Sequence, residues 1–106
     1  MELKTENSNT FSLLIAINIL GIMNALKKGK LTTYAAHDFL LNPYMFEKIK
    51  ENKCDKKVIH AFDLCLELDC VSRQYPEIYS KSILEIENIL ISFLSESNIP
   101  NEIFIR

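Results

Sequence analysis

The placing of the chain-breaking residues constrains this sequence more than any other feature. Gly21, Gly29, Pro43, Pro76 and Pro100 are its only glycines and prolines. An all-β sandwich or barrel needs turn residues about every eight to twelve positions, so these five breakers predict helices. The chain has 106 residues, 48% of them hydrophobic and 25% charged. That is enough for one domain with its own core, spanning residues 1–106 without disulfide staples.

The same breakers place the elements. Asn9 or Thr10 can cap a first helix that runs to Lys28, with Gly29 free to take the left-handed conformation that ends it. Polar residues are spread around this helix, so it reads as apolar nearly all round and as the central helix of the fold. Thr32 or Thr33 caps a short helix over residues 34–40, and Asn42 followed by Pro43 starts another that reaches about Lys50. After a polar loop, Asp55 caps a fourth helix. Its residues Val58, Ala61, Phe62, Cys65 and Leu68 recur at helical spacing, with Arg73 and Gln74 in the exit turn. Ile59, Leu66 and Cys70 form a second apolar face, which predicts burial on two sides or a homodimer interface. Tyr75 and Pro76 open a fifth helix with Tyr79, Ile83, Ile86, Leu90 and Phe93 on its core face to about Ser95, before Pro100. The expected architecture is an all-α, single-domain bundle of about five helices. Leu14, Ile17, Phe62, Ile86 and Leu90 are expected in its core. Residues 1–8 read as a frayed N-terminus and residues 101–106 as a short tail.

Net charge is only −2, but it is unevenly placed. Residues 26–57 hold eight lysines against Asp38, Glu47, Glu51 and Asp55. From Val58 onward eight acids face Arg73, Lys81 and Arg106. Such a split can steer a charged partner, or it can reflect segregated solvated faces. No aromatic or arginine-rich stripe accompanies the lysines, so direct nucleic-acid binding is not expected. The apolar run from Phe11 to Leu26 contains Ser12, Asn18, Gly21 and Asn24 and is shorter than the roughly 20 residues a spanning helix needs. Glu2, Lys4 and Glu6 before it do not make the basic start of a signal peptide. Three cysteines, an odd and sparse set, suit a reducing cytoplasm.

Candidate chemistry is thin. Cys54 lies among Lys53, Lys56 and Lys57, which would favour a thiolate, but neither His37 nor His60 is placed to serve it, and it reads as an exposed, inert loop cysteine. Cys65 and Cys70 read as small buried hydrophobes. His60, Asp63 and Glu67 share one helical stripe, yet a solvated face explains them better than a metal site, so no metal, cofactor or catalytic residue is expected. The acids are more suggestive. Asp63, Glu67 and Asp69 fall at the end of the fourth helix, where they oppose its dipole. Glu85 and Glu87 continue along the fifth. Local stability does not explain this strip, and a cationic partner would.

Residues 25–36, ALKKGKLTTYAA, with FLLNP at 39–43 and LELDCVSRQYPE at 66–77, resemble a family of short uncharacterised bacterial helical proteins. These motifs are structural and imply no catalytic residue. By size and type the chain also resembles the immunity proteins of bacterial toxin systems, including contact-dependent growth inhibition. That resemblance implies a non-enzymatic cytoplasmic protein that binds a cognate toxin domain, a nuclease such as an RNase, and blocks its active site or substrate. Asp63, Glu67, Asp69, Glu85 and Glu87 are the expected contact residues. The alternative is a regulatory or adaptor protein that binds another protein through a helix face.

Overall fold

A computed structural model of the chain describes residues 8–97. Its elements are α1 (Ser8–Lys27), α2 (Thr33–Phe39), α3 (Pro43–Glu51), α4 (Lys56–Cys65), α5 (Leu68–Gln74) and α6 (Pro76–Glu96). The expected all-α bundle is thus present among the described residues, with the fourth helix divided into α4 and α5. The stretch before Ser8 and the tail at 101–106 lie outside the described residues.

The boundaries follow local chemistry. Thr32 Oγ1 accepts from the Ala35 N–H at 3.0 Å, Asn42 Oδ1 from the Met45 N–H at 3.0 Å, and Asp55 Oδ1 from the Lys57 N–H at 2.8 Å. Each satisfies an otherwise orphaned donor at a helix start. Gly29 has φ +69°. The Lys30 N–H returns to the Ala25 carbonyl at 2.9 Å and the Gly29 N–H to the Leu26 carbonyl at 3.1 Å, closing α1 as a Schellman turn. Lys53, φ +56°, fills the same role after α3, with the Cys54 N–H bonded to the Ile49 carbonyl at 3.1 Å.

The core lies between α1, α4 and α6. Ile19 and Met23, Val58 and Phe62, and Ile83, Ile86 and Leu90 are fully buried there, with Ile49 of α3 beneath them. Phe46 stacks on Phe62 with ring centroids 5.7 Å apart. Lys57, at the start of α4, reaches Ser92 at 3.1 Å and Glu96 at 2.6 Å near the end of α6, so these two helices run antiparallel.

Two expectations about the first helix need correction. The hub is α6, which packs on α4, α5 and α1, whereas among the described residues α1 is buried on one side only. Leu14 and Ile17, expected in the core, are 52% and 43% exposed, while Ser12 is 1% exposed. An evenly apolar helix leaves its buried face to be chosen by the partners it meets, and this one turns Leu13, Ile15, Ala16, Ile19, Ile22, Met23 and Leu26 inward. By length and composition alone α1 could cross a membrane, a property shared by core helices of globular bundles. The second face predicted on the fourth helix is also reassigned. Ile59 and Leu66 are half-buried against the same core, and Cys70 is exposed.

Candidate functional site

The predicted acids divide into two groups. Asp63 and Glu67 stand exposed on α4 and at the start of α5, and Glu85 is exposed on α6. None of the three has an ion-pair partner among the described residues. Asp69 and Glu87 are instead engaged within the fold. Glu85 and Glu87 are two positions apart and so lie on opposite sides of α6. The structure therefore does not gather all five into one strip.

Asp69 is the centre of a clamp. The Thr33 hydroxyl donates to its Oδ1 at 2.7 Å, and Arg73 donates from Nε to its Oδ2 at 3.1 Å, with the guanidinium Nη2 ion-paired 3.0 Å from the same oxygen. The Thr33 hydrogen bond, together with Arg73 and the nearby His37, holds the Asp69 carboxyl below its usual range against a smaller effect of burial. This clamp joins α2 to α5. Behind it a cavity of about 20 Å³, bordered by Leu26, Thr33, Cys65 and Asp69, is the size of one water molecule. Cys65 beside it is buried, and burial alone pushes its thiol up to about 12. The thiol is therefore protonated at neutral pH and a poor nucleophile.

The break between α4 and α5 changes the meaning of the acids. With no glycine or proline near it, the ladder ends as the Glu67 N–H bonds to the Leu64 carbonyl at 3.1 Å, and a new helix begins at Leu68. Glu67 takes the N-cap position, and Asp69 lies in the first turn of α5. There the helix dipole favours a carboxylate instead of opposing it. The premise that local stability leaves Glu67 and Asp69 unexplained is overturned. Only Asp63 and Glu85 keep that standing.

Glu87 belongs to a second tie, 2.9 Å from Lys27 Nζ, with its side chain only 16% exposed. Lys27–Glu87 joins α1 to α6, and Lys57–Glu96 joins α4 to α6. The basic middle and acidic end of the sequence are in part the two halves of these interhelical pairs. The Arg73 partner was legible as an i, i+4 neighbour of Asp69. The 36-residue separation of Thr33 from Asp69 left no such signal.

The cysteine expectations reverse at two positions. Cys54 is buried, its pKa raised chiefly by burial, because the turn after α3 folds it inward. Cys70 is the exposed one. No cluster of three histidine, cysteine or carboxylate side chains suited to a metal ion occurs among the described residues, and this includes His60, Asp63 and Glu67. A further surface has no counterpart in the sequence reading. Tyr34, Phe39 and Tyr44, on the consecutive helices α2 and α3, are 68–73% exposed, and Lys48 Nζ stands 5.4 Å from the Tyr44 ring centroid.

The model of a family described as a protein of unknown function (DUF3969) matches residues 6–104. The chain belongs to the DUF3969 family. This fits the resemblance to short uncharacterised proteins, and the match extends over every described helix. Neither a curated protein nor a solved structure matches the chain. For this DUF3969 member, the clamp, the free carboxylates and the exposed aromatics are therefore read from the chain itself.

Proposed function

We propose that this protein is a cytoplasmic bacterial immunity protein that binds a cognate toxin domain, a nuclease such as an RNase, and covers its active site or substrate path. It does so without chemistry of its own, as in contact-dependent growth inhibition. One observation carries the reading. Asp63, Glu67 and Glu85 are exposed and unpaired among the described residues, whereas Glu47, Glu51, Asp69, Glu87 and Glu96 each meet a lysine or arginine. Asp63 and Glu85 make no ion pair among the described residues and remain available to a cationic surface, which a nuclease needs in order to hold phosphate. Asp69 and Glu87 leave the contact set, since their carboxylates are already held.

The test is co-expression with the toxin domain encoded beside the gene. Wild-type protein should restore growth, and the double reversal Asp63→Lys, Glu85→Lys should slow association and weaken protection. Cells that die equally fast with and without the wild-type protein would sink this reading. A second reading, a regulatory or adaptor protein gripping its partner through a helix face, is favoured by the three exposed aromatics on α2 and α3. It predicts that replacing Phe39 and Tyr44 by Ser abolishes partner binding while the charge reversal leaves it intact.

A further inference from the structure

The outer face of α1 has the composition of an interface. No charged residue occurs between Glu6 and Lys27, although Leu14, Ile17, Asn18, Gly21 and Asn24 form an exposed stripe on a helix whose other side is core. A surface helix ordinarily carries charges on such a stripe. Gly21 is the second anomaly. Glycine is among the poorest helix formers, and a Cβ built at this position meets nothing within 4 Å. Nothing among the described residues calls for a glycine there, whereas close approach of another backbone would.

We propose that this face pairs with the α1 face of a second copy of the chain, the two helices antiparallel about a two-fold axis at Gly21. This register is self-complementary. It sets Ile17 opposite Ala25 of the second copy and Asn18 opposite Asn24, large against small and amide against amide. Leu14 lies along the aliphatic stem of Lys28 of the second copy. The Asn18 amide nitrogen already donates to the Leu14 carbonyl at 2.8 Å, which leaves its oxygen to accept from Asn24 across the axis. The Lys27–Glu87 tie turns the stripe Leu84, Glu87, Ile91 of α6 toward α1. Leu84 and Ile91, each about half exposed, therefore border the same face. Two helices side by side, some 30 Å long and spaced about 10 Å apart, present about 600 Å² per copy, or ~1,200 Å² in total. That is the lower bound for a specific interface. A lipid surface is the less suitable occupant, because moving α1 into a bilayer would withdraw Leu13, Ile19, Met23 and Leu26 from the core.

This proposal stands apart from the toxin reading, and its test needs no toxin. Sedimentation across a wide concentration series should approach twice the chain's 12.3 kDa. Gly21→Glu, which has room in the protomer, sets two like charges on the axis and should remain at the monomer mass with an unchanged far-UV spectrum. Gly21→Lys should do the same alone. An equimolar mixture of the two variants should recover the doubled mass. Wild-type protein that stays at the monomer mass throughout, Gly21→Glu that still dimerises, or a mixture that remains monomeric would each overturn the proposal. So would a monomer that co-sediments with phosphatidylcholine vesicles, which would assign the face to lipid.

Discussion

Ser12 and Leu14 exchange the roles that polarity alone would assign them, and a pair of alanine substitutions tests that exchange. Ser12 is buried, and its Oγ accepts from the Asp55 backbone N–H at 2.9 Å, joining α1 to the turn that starts α4. Ser12→Ala removes the acceptor of this part-buried hydrogen bond, at a cost of about 1–2 kcal/mol. For a domain of this size, that lowers the melting temperature by roughly 5–15 °C. Leu14 is half exposed. Leu14→Ala forfeits at most about half of the ~1.5–3 kcal/mol that full burial of leucine is worth, and alanine's helix propensity returns a few tenths of that, about 0.2 kcal/mol. Thermal unfolding followed by circular dichroism at low protein concentration, where self-association does not contribute, measures both. Ser12→Ala should be the more destabilising. A Ser12→Ala protein as stable as wild type, or a larger loss from Leu14→Ala, would refute the placing of α1.

Five further outcomes are expected. Phe62→Ala, which empties the fully buried site under Phe46, should cost about 3–5 kcal/mol in urea unfolding. Lys53→Gly should leave the fold intact and stabilise it by up to about 1 kcal/mol, since Lys53 occupies φ +56°. A thiol reagent should modify only Cys70 in the native protein, with Cys54 and Cys65 reacting on unfolding. Two pH limits follow from linkage. Asp69 and Glu96 ionise more readily when folded, through Thr33 and Lys57 respectively. Their contribution is present above the ordinary carboxylate range and is lost as the pH falls through their folded values; Asp69→Asn should flatten that acid limb of a stability–pH profile. Cys65 is raised from 9.0 to about 12. Between those values the unfolded chain loses the proton first, so stability should fall as the pH rises, and Cys65→Ala should remove that part of the alkaline slope.

The helical class and most helix ends were legible in the sequence because they rest on chemistry within a few residues. Thr32, Asn42 and Asp55 cap their own helices, Gly29 ends α1, and prolines open α3 and α6. Phe62, Ile86 and Leu90 were identified as core because their helices are amphipathic, so periodicity alone orients them. Where periodicity is weak, the tertiary structure decided. The outward turn of Leu14 and Ile17 depends on which side of a uniformly apolar helix α6 occupies. The division of α4 from α5 has no local breaker, and it accompanies the clamp of Asp69 to Thr33, 36 residues away in the chain. The charge asymmetry was visible at once, but its partial cancellation through Lys27–Glu87 and Lys57–Glu96 could not be read from it. Capping and helical period act over one or two turns, whereas the side of a helix that is buried, and the partner a charge finds, are set by segments that meet only when the chain is folded.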